Sequence, residues 1–337
     1  MEAPELAAST SQEPPAFIEV AQLTKRFAEV TAVNRISFAV RKGELFGFLG
    51  PNGAGKTTTI NLLTGLARPD FGTIRIGSVD CARDPKAAQR LIGVVPDESN
   101  LYPELTGFEN LCFCAALYGM RKSERRARAH RLLESFGLTE AAQRKFAGYS
   151  RGMKRKLTLA AGIIHSPKVL FLDEPTTGLD VVSARHIREL IAELYRGGTT
   201  IFLTTHYIEE AERLCERIVF MVSGRIVRID TVANLLQPVS GKHMMLVSVD
   251  HSASALRAGL ARAFPDLDVE TVSGMELRIE SREPIRVAPM VRFIENNGAH
   301  VTEARRVHPS LEDVFVRVTG VEAEALKTEK EKNEAGL

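Results

Sequence analysis

Between Phe17 and Leu236, short uninterrupted apolar runs alternate with segments whose apolar residues recur at helical spacing. "LFGFL" at Leu45–Leu49, "KVLFL" at Lys168–Leu172 and "TTIFLTTH" at Thr199–His206 have the apolar character of strands buried on both faces, which is typical of parallel sheets covered by helices. The alternation predicts an α/β fold with a mostly parallel sheet flanked by helices. After "QPVSGK", Gln237–Lys242, the pattern restarts. "HMMLVSVD" reads as a strand, "SASALRAGLARAF" as a helix, and "LDVETV" with "MELRIE" as a hairpin turning at Ser273-Gly274. "PIRVAPMVRFIENNG" then reads as a helix and "HVTEARRV" as a strand. The order βαββαβ predicts a small α+β, ferredoxin-like domain over 243–320. It ends on "HPSLEDVF", where Ser310 can cap a helix with Asp313 three residues on, a capping box with Asp in place of the usual Glu or Gln. Residues 1–16, rich in Pro, Ser, Ala and Glu, read as a disordered leader, and 321–337 as a charged, solvated tail.

Composition narrows the function. Lys plus Arg number 44 against 42 Asp plus Glu in 337 residues, so charge gives no reason to expect a nucleic-acid partner. No apolar run reaches the length of a spanning helix, and the N-terminus lacks the basic start and apolar core of a signal peptide. The expected location is cytoplasmic. Four cysteines are too few for a disulfide framework. Cys112 and Cys114 form a C-x-C without neighbouring Cys or His partners, and so read as buried thiols rather than a metal site.

The chemistry begins at "GPNGAGKT", Gly50–Thr57, which fits G-x-x-x-x-G-K-[ST] between an apolar strand and a helical pattern. Gly50, Gly53 and Gly55, with Pro51, Asn52 and Ala54, form a loop whose backbone N–H groups can face phosphate oxygens, Thr58 completes the expected ATP-binding set, and the helix N-terminus adds partial positive charge. Lys56 supplies a full charge toward the β- and γ-phosphates, and the Thr57 hydroxyl can ligate Mg²⁺. A second apolar run ends in Asp173-Glu174, and ligands of open α/β sheets bind beyond the carboxyl ends of strands. Asp173 can hold Mg²⁺ through its water shell, while Glu174 can act as general base on the attacking water. His206 ends a third apolar strand at the same edge, able to reach the γ-phosphate or orient the water. A different pair of acids, Asp97-Glu98 in "IGVVPDESNLYPEL", lies on an extended stretch. Adjacent residues there point to opposite sides, which argues against a two-carboxylate mechanism.

With these motifs in order, the chain resembles the ATP-binding subunit of an ABC transporter over about Phe17 to Leu236. "YSRGMKRKL", Tyr149–Leu157, resembles that family's signature sequence, with Ser150 and Gly152 in place and Arg151 and Met153 as departures. The resemblance implies a P-loop cassette with a helical subdomain at about 98–160. It also implies a head-to-tail dimer in which each Ser150 and signature helix faces the γ-phosphate of the partner's ATP. Asp180 of "GLD" matches the loop that crosses this interface. Phe27 matches the aromatic that stacks on adenine, with a core position as the other reading. Asp97 occupies the place of a glutamine near Mg²⁺ and the attacking water, so it is expected either in the Mg²⁺ shell or, since Pro-Asp favours turns, as a turn residue.

"LYPELTGFENL", "YSRGMKRKL" and "TTHYIEEAERLC", together with the C-terminal domain, resemble the exporter group that includes drug-resistance and nodulation-factor pumps. The resemblance implies cofactors ATP and Mg²⁺, pairing with an identical or paralogous ATPase, and an integral membrane permease as partner at the cytoplasmic face of the membrane. The segment Asn100–Thr106 is expected to dock that partner. The rival readings are a soluble ABC ATPase acting on ribosomes or DNA, which usually has two cassettes or long coiled-coil insertions, and an importer ATPase, which shares every catalytic residue.

Overall fold

The computed structural model describes residues 16–237, 243–307 and 310–321. The segments expected as leader and tail therefore lie outside the described residues, apart from Ala16 and Val321, as does "PVSGK". The described chain divides into two compact units, one ending at Thr231 and the other spanning Val232–Gly320.

The first unit opens with β1 (Ala16–Phe27) and β2 (Val30–Arg41), followed by β3 (Leu45–Leu49) and α1 (Lys56–Leu63). Next come β4 (Phe71–Ile76), β5 (Val79–Asp80), α2 (Pro85–Leu91) and β6 (Ile92–Val95). Three helices, α3 (Gly107–Leu117), α4 (Lys122–Ser135) and α5 (Arg151–Gly162), separate β6 from β7 (Val169–Asp173). The unit is completed by α6 (Val181–Arg196), β8 (Thr200–Thr205), α7 (Ile208–Leu214), β9 (Arg217–Val222) and β10 (Arg225–Thr231).

A six-stranded sheet runs β10-β9-β3-β8-β7-β6, parallel throughout except where β10 returns against β9. Every residue of β3, β7 and β8 is buried, as their continuous apolar runs require. Phe46, Phe48, Phe171 and Phe202 pack between the strands, with ring centroids of Phe48 and Phe202 4.9 Å apart. Each such ring removed from water contributes roughly 1.5–3 kcal/mol. The register sets Leu49 beside Thr205 and Asp173 beside Thr204, so the carboxyl ends of β3, β8 and β7 finish level with one another.

A second sheet, β2-β1-β4-β5, is antiparallel, and the strand pattern of the sequence does not foretell it. Its residues Ile18, Val20, Val33, Ile36, Phe38, Ile74 and Ile76 join the same core as the phenylalanines.

In the second unit, α8 (Val232–Leu236) precedes β11 (His243–Val249), α9 (Ala253–Ala263), β12 (Asp268–Ser273), β13 (Glu276–Ser281), α10 (Val287–Asn296), β14 (Val301–Val307) and α11 (Leu311–Thr319). The antiparallel sheet order β12-β13-β11-β14 is that of a ferredoxin-like βαββαβ domain. Met245, Val247, Leu277 and Ile279 of the sheet pack with Leu256, Leu260, Met290 and Ile294 of α9 and α10. Ser310 and Asp313 make the expected reciprocal capping box at α11, with Ser310 N–H donating to Asp313 at 3.0 Å.

Candidate active site

Two glycines explain how the loop between β3 and α1 keeps its shape. A Cβ at Gly50 would stand 2.2 Å from the Met221 carbonyl oxygen, and one at Gly55 would stand 2.3 Å from that of Ala32. Gly55 also has φ of +104°, in a region side-chain-bearing residues rarely enter. Gly224 N–H holds the loop through the Ala54 carbonyl at 2.9 Å. Asn52 and Gly53 form its exposed tip. α1 begins at Lys56 with no side-chain hydrogen bond capping it, so its leading N–H groups face outward without a side-chain acceptor. Lys56 is buried, and its ammonium donates to the carbonyls of Gly50 (2.8 Å) and Pro51 (3.3 Å). It also pairs with Glu174 Oε1 at 3.2 Å.

Asp173 and Glu174, at the end of β7, face different partners. Asp173 accepts from the hydroxyls of Thr204 (2.5 Å) and Thr57 (3.3 Å). Burial pushes its carboxyl up from the ordinary range, against the downward pull of those two hydrogen bonds. Glu174 has φ of +48°, a left-handed turn that a residue with a side chain holds only when its surroundings enforce it. Its Oε2 accepts from the ring Nδ1 of His206 at 2.8 Å and from the Thr177 hydroxyl at 3.3 Å. Burial pushes the Glu174 carboxyl up, but the His206 hydrogen bond and the Lys56 charge outweigh it and hold the group below its ordinary range. An ionised carboxylate only accepts, so Nδ1 of His206 carries the proton. Its Nε2 is buried without a hydrogen-bond partner.

Lys56, Thr57, Asp173, Glu174 and His206 thus form one connected cluster. Ser150 caps α5 by accepting from Met153 N–H at 3.3 Å, and Asp180 caps α6 by accepting from Val182 and Ser183 N–H. These two caps adjoin each other: a Cβ on Gly152 would lie 2.5 Å from Ser183 Oγ, and Arg151 donates to the Gly178 carbonyl at 3.2 Å. Neither Ser150 nor Asp180 has a hydrogen bond to the cluster around Glu174. Phe27 is 52% exposed at the end of β1, with Lys25 Nζ 5.3 Å from its ring centroid, which removes the core reading. Asp97 is exposed, and its carbonyl accepts from Arg155 at 3.0 Å. Cys112 and Cys114 are half-buried rather than buried, and burial pushes the Cys114 thiol up to about 11.

Two contributors escape a reading by motif. Thr204 is one residue from the strand end and holds Asp173. Arg155 lies within the quoted signature stretch, three residues after Gly152 and so on the same buried face of α5, which is the signal that could have singled it out.

A glycine cradle with an uncapped helix start, a buried lysine on its floor and two acids at the neighbouring strand end define a P-loop nucleoside-triphosphatase. The ABC transporter sequence profile matches residues 33–177. The linearmycin resistance ATP-binding protein of Bacillus subtilis is 36% identical over 307 residues, covering 90% of this chain and 98% of that protein. The Nod factor export ATP-binding protein I of Paraburkholderia xenovorans is 39% identical, covering 92% and 99% respectively. Among solved structures, an ATP-binding subunit of an ABC transporter is similar at 32% identity and TM-score 0.60, over 66% of this chain and 92% of that one. A dimeric ATP-binding cassette in a post-hydrolysis state with ADP and Pi is similar at 27% identity and TM-score 0.59, over 64% and 98%. The chain belongs to the ABC transporter family as an ATP-binding, ATP-hydrolysing subunit. Among its described residues no helix is long and apolar enough to cross a membrane.

Proposed function

We propose that this subunit powers a membrane exporter at the cytoplasmic face of the membrane. Two copies, or one copy and a paralogue, close over two ATP molecules and reopen on hydrolysis. The observation that supports the ATP-driven part of this reading is the Lys56–Glu174–His206 chain of contacts at the glycine cradle. In it the loop Gly50–Thr58 binds the phosphates, with Lys56 exchanging Glu174 and loop carbonyls for phosphate oxygens. Glu174, ionised and oriented by His206, takes the proton of the attacking water. The resident cation fits Mg²⁺: Thr57 and Asp173 are 3.3 Å apart, and Mg²⁺ keeps most of its ligands as water and phosphate oxygens. When bound, the cation neutralises charge developing on the phosphates. Asp97 would be the third residue to hold it.

Phe27, exposed and beside a cation, stacks on adenine. Ser150, Gly152 and Asp180 act across the dimer, where the open amides at the start of α5 meet the partner's γ-phosphate. The cassette proposed at 17–236 runs five residues into the second unit, which begins at Val232, and the accessory domain proposed at 243–320 has a role outside ATP chemistry in this reading. For a membrane partner, the segment Asn100–Thr106 is the proposed docking element. Asn110, wholly buried, shapes it by accepting from Tyr102 N–H (2.8 Å) and donating to the carbonyls of Tyr102, Leu105 and Thr106. Tyr102 of that segment packs edge-on against Phe113 of α3, with ring centroids 5.0 Å apart, and both rings leave apolar surface exposed. The names of the relatives, resistance and Nod factor export ATP-binding proteins, favour export over import.

The test is recovery of partners from detergent-solubilised cells with the Glu174→Gln chain in ATP and Mg²⁺, read by mass spectrometry. A multi-span membrane protein is the expected companion, lost when Tyr102 and Phe113 are changed to Ser. Recovery of ribosomal or DNA-bound proteins instead sinks the exporter reading while leaving the ATPase chemistry standing.

A further inference from the structure

Arg155 is 8% exposed, yet its guanidinium makes its hydrogen bonds to main-chain carbonyls. Nη1 donates to Pro96 (2.5 Å) and Asp97 (3.0 Å), Nε to Pro175 (2.7 Å), and Nη2 to Asp173 (2.8 Å) and Glu174 (2.6 Å). A guanidinium has five N–H donors in a fixed fork, and here they meet five carbonyls from two chain segments. Those segments leave the ends of β6 and β7, adjacent parallel strands in register at Val95 and Leu172. Burial lowers the guanidinium pKa, while the charges of Asp97 and Asp173 oppose the shift. The Glu174 turn is also fixed from other sides. Its N–H donates to the Thr204 carbonyl at 3.1 Å, and the Thr176 hydroxyl donates to buried Glu210 at 2.8 Å.

We infer that Arg155 is a positioning residue. It locks the left-handed turn that aims Glu174 at Lys56 and His206, and it ties that turn to Pro96–Asp97, so that displacement of this segment reaches the base. Three consecutive carbonyls around Glu174 end on one rigid fork, and the same fork holds the segment leading to the loop at 100–106, which is exposed at 100 and 102–104. A strained residue persists where its neighbours over-determine it, and Arg155 supplies the constraint on the carbonyl side. Lysine cannot replace it, because an ammonium is a compact charge that does not span both segments.

The inference rests on Glu174 acting as base, and its test separates the two. Arg155→Lys and Arg155→Gln are made in the full chain and compared with wild type and Glu174→Gln for ATP turnover, nucleotide affinity and amide hydrogen exchange. The expected result is a fall in kcat of about 100-fold, the scale of an ångström's misplacement. ATP affinity should stay within about 3-fold, because the cradle is untouched. Exchange should quicken together at 96–98 and 173–177 but not in α1. If Glu174→Gln keeps its turnover, the base assignment falls, and the paired exchange change alone then decides for or against Arg155. Turnover near wild type in folded Arg155→Lys, where Glu174→Gln has lost it, overturns the inference. So does exchange that rises evenly across the fold, or failure of both variants to fold, which would assign Arg155 to stability.

Discussion

Replacing Glu174 by Gln keeps the size of the side chain and removes its charge, and the geometry dictates two separable effects. The first is on turnover. A positioned general base contributes about 10²- to 10⁴-fold, or roughly 2.7–5.5 kcal/mol of barrier, and the amide cannot take the proton. The second is on the empty site. Lys56 loses the carboxylate 3.2 Å away while keeping the Gly50 and Pro51 carbonyls. Removing one partner of a buried pair costs about 3–5 kcal/mol, with the retained carbonyls placing Lys56 at the low end. Phosphate oxygens restore an anionic partner, so part of that cost is recovered when ATP binds. The variant should therefore bind ATP at least as tightly as wild type and gain more thermal stability from it, while kcat falls by at least about 100-fold. Phosphate release at saturating ATP measures the first effect and calorimetric titration the second. Turnover within about 3-fold of wild type refutes the base. ATP affinity weakened by about 10-fold refutes the exchange of Glu174 for phosphate at Lys56.

Three further outcomes follow from the same site. Lys56→Ala should weaken ATP binding by about 2–3 kcal/mol, roughly 30- to 150-fold, because the lost charge faces phosphate in ground and transition states; titration with ATP checks it. Asp173→Asn should abolish Mg²⁺-dependent turnover yet raise the melting temperature of the nucleotide-free protein at neutral pH. The sign follows from the raised carboxyl: its contribution to stability is present below the unfolded pKa and lost as pH rises through the folded value, so at pH 7 the ionised group opposes folding. Melting curves from pH 4 to 7 should show the difference between the two proteins growing with pH. Asp97→Gln should raise the Mg²⁺ concentration for half-maximal turnover, because a neutral amide replaces a carboxylate among the groups that would hold the cation. An unchanged Mg²⁺ curve and rate would return Asp97 to the role of a turn residue.

The cluster was legible because each member stands at the end of an apolar strand or inside a spaced motif. Lys56, Thr57, Asp173, Glu174 and His206 needed only the assumption that β3, β7 and β8 lie side by side, which their uniform apolar character supports. The spacing from Gly152 puts Arg155 on the buried face of α5, but its partners are main-chain carbonyls, which leave no residue-type signature, so its burial was legible and its role was not. The antiparallel sheet was hidden for a different reason. Pairing of β1 with β2 shifts register between Val20 and Leu23, and Gln22 in between has φ of +51°, so the alternation of inward and outward residues is interrupted where a period-two reading looks for it. Phe27 could not be placed from its type, because an aromatic at a strand end serves a core and a ligand equally well; its exposure decided against the core.

The central claim is that ATP, held at Lys56 and left unhydrolysed, closes two cassettes on one another. Light scattering of purified Glu174→Gln with and without ATP tests it most directly. The account predicts monomers without nucleotide and a dimer with ATP, abolished by adding Lys56→Ala or Ser150→Arg. A chain that binds ATP under these conditions and stays monomeric would contradict it.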